Sequence, residues 1–334
     1  MDAPHWAPNA RITDALNVDD LEPNAHHRMV VTLAEDALGR PIRVPLLIAR
    51  GARPGPVFGM TAALHGNELN GIPVLHRVFQ DLQPERLKGT VVGVVVANVP
   101  GYLMHQREFS DGSDLNHLFP GKPMGNLAEL WAHRLLHRIV RRFDYLVDLH
   151  TASFGRVNCL YVRADMSRQA TARMARLVNP DILLHNPPSD RTLRGAADEF
   201  GIPAITLEIG NPHRFQERYI KRARSGVRTL LGEFGLLPKR KLPDSPPPVL
   251  CRSSSWIYTD RGGLLRVLPE VTDALEAGQV IARQTNVFGD LVREYLAPEA
   301  GVVIGKSVDP VGQSGARVLH LGVPAAAGEF LAGI

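Results

Sequence analysis

A histidine and a glutamate three residues apart, His65 and Glu68, stand in the stretch Thr61-Ala62-Ala63-Leu64-His65-Gly66-Asn67-Glu68, where an apolar run gives way to a segment of helical spacing. An imidazole nitrogen and a carboxylate oxygen suit zinc, and a separation of three can bring both side chains to one side of a helical turn. A catalytic zinc takes three protein ligands and keeps a fourth position open, so a third ligand is expected elsewhere. The spacing alone carries little weight in a chain with 13 histidines, and a second copy occurs at His105 and Glu108 in a turn-rich loop. Context favours the first copy. Residues 57–64 read as a buried strand, and Leu69, Ile72, Leu75, Val78 and Phe79 recur at helical spacing over 67–82, with Pro73 suited to a first turn. Strand ends that open into helices are where open α/β sheets place their sites.

The expected third ligand is His150, at the end of an apolar strand over 145–151; the alternative is a core histidine satisfied by a carboxylate. Asp148 lies two residues earlier, on the same face of that strand, where it can steady the site or orient another group. Glu208 sits inside the apolar run 202–210, and a carboxylate there is costly to bury without compensation, so it reads as functional rather than as an edge-facing surface group. His133 and His137 are four apart on the amphipathic helix expected over 126–143, but they share a charged stripe and lack an adjacent glutamate, which points to a solvated face.

The elements that position these residues alternate. After an extended lead-in over 1–27, residues 29–33 and 42–49 read as a hairpin, 90–97 as a doubly buried strand, and 98–124 as a long loop of the kind that tends to be functional. Strands are expected at 159–163 and 182–184, and helices at 168–178, 192–200 and 214–234. The series argues for an α/β fold with a mostly parallel or mixed sheet covered by helices. A Pro-rich linker at 238–249 separates residues 1–240, the expected catalytic domain, from residues 249–334, whose short apolar runs at 263–268, 279–282, 301–304 and 316–321 read as a smaller β-rich domain.

Composition narrows the function classes. Of 334 residues, 22% are charged and the net charge is +4, with no dense Lys/Arg run interleaved with aromatics, which argues against nucleic acid. No apolar run approaches a membrane span, and residues 1–30 hold no basic stretch followed by an apolar one, so an unexported protein is expected. Cys159 and Cys251 are too few and too far apart for a disulfide framework, so the reducing cytoplasm is the expected location.

His65-Gly66-Asn67-Glu68, Asp114-Leu115-Asn116 before Phe119-Pro120-Gly121, Asp148-Leu149-His150-Thr151 and Leu207-Glu208-Ile209-Gly210, in this order, resemble the succinylglutamate desuccinylase and aspartoacylase family, a branch of the zinc-carboxypeptidase superfamily. The resemblance spans residues 57–212. It implies a mixed twisted sheet flanked by helices and a β-rich tail. It also implies one Zn2+ per chain on His65, Glu68 and His150, Glu208 as general base and acid, and Arg107 and Asn116 as groups that polarise the scissile carbonyl or hold substrate. One position departs: relatives read Asp-Leu-Asn-Arg, where the arginine pairs with a substrate carboxylate, and here His117 takes that place. A partly charged imidazole is a weaker grip than a permanent bidentate fork, so another cation is expected to compensate, with Arg156 and Arg194 as candidates.

The expected function is zinc-dependent hydrolysis of the amide bond of an N-acyl amino acid or a related small N-acyl amine. A metallocarboxypeptidase acting on a peptide or isopeptide is one alternative. A non-catalytic metal- or metabolite-binding protein is the other, and Glu208 speaks against it, since a pure binder has no use for a base beside the ion. The expected partner is a small-molecule substrate, with no nucleic acid and no membrane, and a homo-oligomer is left open.

Overall fold

Long β-branched and apolar runs build one wide sheet in this computed structural model, which describes residues 5–188, 191–240, 246–326 and 328–330. Residues 1–4 of the lead-in and 241–245 of the Pro-rich linker lie outside the described residues. The strands of the first two thirds are β1 (Arg11–Thr13), β2 (Ala25–Glu35), β3 (Pro41–Arg50), β4 (Arg53–Ala62), β5 (Lys88–Val94), β6 (Tyr145–His150), β7 (Arg156–Asn158), β8 (Leu160–Ala164), β9 (Ile182–His185) and β10 (Ala204–Ile209). The helices are α1 (Gly71–Asp81), α2 (Val99–Leu103), α3 (Leu127–Arg138), α4 (Gln169–Val178), α5 (Leu193–Glu199) and α6 (Glu217–Glu233). The hairpin β2–β3 is longer than expected, and the loop over 98–124 contains α2 and a 3-10 turn at Leu115–His117.

Strands β5, β4, β6 and β10 run parallel side by side, flanked by antiparallel β3 on one side and antiparallel β8 on the other, so the sheet is mixed. One apolar layer packs α1, α4 and α6 on one face through Leu75, Val78, Met174, Ile220 and Leu230. A second packs α3 and α5 on the other through Trp131, Leu135, Leu136 and Ala196. Burial on both faces explains why residues 91–94 are continuously apolar rather than alternating. Helix α3 starts where a capping box closes it, with Asn126 accepting from the Glu129 N–H and the Glu129 carboxylate accepting from the Asn126 N–H.

The C-terminal residues form β11 (Val249–Tyr258), β12 (Gly263–Val267), β13 (Ala274–Leu275), β14 (Val280–Thr285), β15 (Leu291–Leu296), β16 (Gly301–Ser307), β17 (Val311–Gly312) and β18 (Arg317–Pro324). They divide between two sheets. β15, β14, β12 and β17 make a small sheet of their own, whereas β11 pairs parallel to β9 and carries β18, β16 and β13 on as an extension of the main sheet, fourteen strands among the described residues. Strand β11 escapes sequence reading because its middle is Arg252-Ser253-Ser254-Ser255, a polar run that reads as loop. The seam is apolar, with Cys159, Tyr161, Ile182, Leu184, Cys251 and Ile304 in one buried cluster.

Candidate active site

The C-terminal ends of the parallel strands β4, β6 and β10 converge, and three acidic or imidazole side chains meet there. His65 and Glu68 lie in the turn between β4 and α1, not on the helix itself: α1 begins only at Gly71, and the Glu68 N–H donates to the His65 carbonyl at 3.1 Å. The left-handed backbone of Ala63 (φ 51°) turns the chain out of the strand just before them. Gly66 permits a close approach, since a Cβ there would stand 2.1 Å from the Gly101 carbonyl carbon and 2.2 Å from the Tyr102 nitrogen. His150 is the last residue of β6, and Glu208 is its register neighbour on β10, so the two side chains leave the same face of the sheet.

Among the described residues, His65, Glu68 and His150 form the group that could hold a metal ion, with ligand atoms all within 4.8 Å of one another. His65 Nδ1 lies 2.9 Å from Glu68 Oε1, and His150 Nδ1 lies 3.0 Å from Glu68 Oε2 and 3.2 Å from His65 Nδ1. Both rings are oriented from behind. His150 Nε2 sits 2.7 Å from Asp148 Oδ2, and His65 Nε2 sits 3.1 Å from Asp114 Oδ1. A carboxylate can only accept, so each places a ring proton on Nε2, and in the neutral imidazole Nδ1 is then left with its lone pair. Asp148 is itself fixed by the Thr61 hydroxyl, which donates to Oδ1 at 2.5 Å. Two lone pairs and an acceptor carboxylate therefore face one another within a buried space, an arrangement that needs a positive charge in the middle. The charge states favoured at Glu68 and His150 point the same way. Burial works against the charge on both groups. Even so, His65 and His150 hold the Glu68 carboxyl well below its usual range, and Asp148 and Glu68 lift the His150 imidazole well above its own. The donor set fits zinc, which takes imidazole nitrogen and carboxylate oxygen together.

Around this group lies a cavity of about 460 Å³. Arg107 spans it: Nη1 donates to Glu68 Oε1 and to Ser153 Oγ, each at 2.7 Å, while Nε and Nη2 hold Asp114 Oδ2 at 3.2 and 2.9 Å. Glu208 is buried, with Asn158 Nδ2 at 3.5 Å from Oε2 and Arg163 Nε at 3.5 Å from Oε1. Burial pushes its carboxyl above the ordinary value, and Arg163 opposes this without cancelling it. Asn116 lines the cavity and accepts from the Leu193 N–H at 2.9 Å, anchoring the start of α5. His117 is two-thirds exposed and leans on Asp114 at 3.9 Å. Arg194 is buried and gives both its hydrogen bonds to Asn186, and Arg156 faces the cavity from β7.

The expected metal ligands, catalytic groups and substrate-holding residues thus border one cavity, and Asp148 stands behind His150. His133 and His137 stay outside it, against Arg141 and Phe200, and so do His105 and Glu108 of the second spacing. Several lining residues escaped sequence reading, Arg163, Trp256 and Arg317 among them. Arg163 follows the aromatic Tyr161 on β8 and looks like an edge charge, while Trp256 and Arg317 come from the C-terminal strands, where no ligand set is visible. The signal that finds them is the pairing of β11 with β9, which local sequence does not carry.

Residues 54–234 match the description Succinylglutamate desuccinylase/Aspartoacylase catalytic domain. The chain is 25% identical over 282 residues to N-alpha-acetyl-L-2,4-diaminobutyric acid deacetylase of Halomonas elongata, covering 81% of each protein. It is 30% identical over 170 residues to succinylglutamate desuccinylase of Pseudomonas paraeruginosa, covering 47% of this chain and 51% of that one. In fold it is similar to the product-bound ectoine utilization protein EutE (DoeB) of Ruegeria pomeroyi, with a TM-score of 0.83, 21% identity, and coverage of 93% and 99% of the two chains. A succinylglutamate desuccinylase/aspartoacylase of Rhodobacter sphaeroides superposes with a TM-score of 0.81 at 18% identity, covering 94% and 100%. With the family description matching more than half of its length, from the start of β4 to the end of α6, the chain belongs to the succinylglutamate desuccinylase/aspartoacylase family.

Proposed function

We propose that this protein is a zinc-dependent hydrolase that cleaves the amide bond of an N-acyl amino acid or a related small N-acyl amine. The observation that carries the reading is the pair of Nδ1 lone pairs and the Glu68 carboxylate facing one another, with Glu208 the register neighbour of His150. His65, Glu68 and His150 would hold the ion. Zinc bound there supplies Lewis-acid polarisation of a carbonyl and a water of lowered pKa. The remaining chemistry belongs to the chain. Glu208 takes a proton as a water oxygen bonds to the carbonyl carbon, and returns it to the amide nitrogen as the C–N bond breaks, leaving a carboxylic acid and a free amine. Burial raises its pKa, the direction that helps a carboxyl both take up and return a proton. Arg107, held by Asp114 through Nε and Nη2, would turn Nη1 from Ser153 Oγ to the developing negative oxygen. Asn116, His117, Arg156 and Arg194 would hold the substrate. Residues 1–240 carry this machinery and residues 249–334 form the β-rich part beside it. The two thiols are free and buried, which supports a reducing cytoplasmic setting.

The names of the two relatives, a deacetylase and a desuccinylase, support deacylation over trimming of a peptide chain. A mass-spectrometric screen of mixed N-acyl amino acids and dipeptides with zinc-loaded protein tests this. Release of free amino acid and acyl acid is expected; turnover of dipeptides alone would replace the reading by the carboxypeptidase one.

A further inference from the structure

Lys221, Arg224 and Arg228 fall three and four residues apart on α6, so helical geometry sets them along one face over about 10 Å. Beyond the helix the chain returns toward that face, and Arg228 Nη1 and Nη2 both donate to the Pro238 carbonyl, at 3.4 and 3.3 Å. Arg86 faces them from the 3-10 turn Pro84–Arg86, which leads into β5. The two segments are tied together there, since the Lys88 N–H donates to the Leu236 carbonyl at 2.9 Å. Two hollows of about 410 and 170 Å³ open between them and share Asp81, Arg224, Arg228 and Arg240, so they form one groove. It lies at the end of the molecule away from His65, Glu68 and His150. β4 and β5 are parallel, His65 follows the C-terminal end of β4, and Arg86 precedes the N-terminal end of β5.

The charge of the groove is one-sided. Asp81 is the one carboxylate lining it among the described residues, and Arg224 is paired with it. Lys239 reaches Glu233 at 3.1 Å, a carboxylate that Arg173 also holds. Glu217, one turn before Lys221, is taken by Arg77. That leaves Arg86, Lys221, Arg228 and Arg240 with no carboxylate at ion-pair distance among the described residues, in a chain whose whole net charge is +4. Arg86 gives Nη1 only to the neutral Gln83 Oε1, at 3.4 Å. Burial and then Arg240 bring the Arg228 guanidinium below its ordinary value; Asp81 opposes this and Arg86 adds to it. Like charges gathered in a concave site focus a positive potential, and an anion relieves it.

Span and lining define the anion. Cations spread over more than one helical turn exceed the reach of a single phosphate or carboxylate, whereas linked phosphates offer acceptors along the whole row. No aromatic ring lines the groove among the described residues, so a nucleobase has nothing to stack on. The larger hollow has the size of a small-molecule pocket.

We propose that this groove, between the end of α1, the entry to β5 and the end of α6, is a second ligand site that binds a small polyphosphate through Arg86, Arg228 and Arg240. It stands apart from the hydrolase reading, because a ligand here leaves the candidate active site open.

The test titrates full-length, zinc-loaded protein with inorganic triphosphate, orthophosphate and ATP by calorimetry at low salt, with thermal unfolding read alongside. Triphosphate is expected to bind once per chain, to raise Tm and to lose affinity as salt is added. Orthophosphate should bind at least about tenfold more weakly. Arg86→Gln and Arg228→Gln should each weaken triphosphate binding about 10- to 100-fold. So should Arg240→Gln, an exposed position outside every helix and strand, where no packing is at risk. ATP bound as tightly as triphosphate makes a nucleotide's phosphate tail the source, and ATP bound at least about tenfold more weakly makes it free polyphosphate. Triphosphate affinity unchanged in Arg240→Gln and Arg228→Gln puts the anion elsewhere, the zinc included, and overturns the proposal. Binding to anionic phospholipid vesicles with none to triphosphate overturns it as well, and makes the patch a membrane-facing surface.

Discussion

At the residue scale the site depends on carboxylates that stand behind the imidazoles. Asp148 accepts from both the Thr61 hydroxyl and His150 Nε2, so it decides which nitrogen of His150 is free. Asp148→Asn can offer an amide donor where an acceptor is required, and a 10- to 100-fold loss of zinc affinity is expected from such partners. Competition with a chromophoric chelator reads this; unchanged affinity would show that the ring needs no such orientation. Glu208→Gln removes the base but none of the three proposed ligands. Metal content by mass spectrometry should stay at one per chain while kcat falls about 10²- to 10⁴-fold. Near wild-type turnover would take the proton-transfer role away from this residue. Both sets of residues were legible in the sequence for the same reason: each is a polar side chain at the end of, or inside, an apolar strand, where burial has to be repaid. Arg317 and Trp256 were not legible, because their strand neighbours are unremarkable and their meeting depends on a contact between residues far apart in the chain.

At the element scale the β4–α1 turn is the demanding piece. Gly66 packs with no room for a Cβ against the backbone of α2, and its N–H donates to the Arg107 carbonyl at 3.3 Å. The turn that presents His65 and Glu68 is thereby tied to the loop that presents Arg107. Gly66→Ala should cost about 1–3 kcal/mol of stability, as overpacking does, and should lower activity beyond what stability explains, because both sides of the site shift. Urea unfolding and specific activity together check this; a variant as stable as the parent would show that the backbone gives way easily. The sequence predicted a helix over 67–82, and the structure delays it to Gly71 since residues 63–70 are committed to this turn. His320 on β18 adds a pH-dependent element. Burial, then Arg163, Arg317 and Arg156, bring its imidazole down to about 3 from 6.5. The unfolded chain takes up that proton first, so the stability His320 contributes is complete above pH 6.5 and drains away as the pH falls toward 3. His320→Phe keeps a ring against Trp256 and should flatten the fall in stability below pH 6.5 by up to about 1.4 kcal/mol per pH unit. Parallel slopes in denaturant titrations of the two proteins would contradict this.

At the scale of the whole molecule the C-terminal strands are part of the sheet rather than an appendage. The short apolar runs of residues 249–334 announced β structure, and a small sheet is present, but the run of serines in β11 concealed the strand that joins it to β9. A chain ending at residue 240 would bare the edge of β9 and the apolar seam of Cys159, Tyr161, Ile182 and Leu184. Such an edge templates aggregation, and size-exclusion chromatography is expected to show large species; a monodisperse, folded product would make the two parts independent.

The parallel hydrogen bonds between β9 and β11 have one more consequence. A continuous ladder offers no hinge between the strands that position His65, Glu68 and His150 and the strands bearing Trp256 and Arg317, so the mouth of the cavity cannot open by swinging one half of the protein away from the other. Molecules must enter and leave past moving side chains at a rim of fixed width, which limits the size of what this enzyme can process.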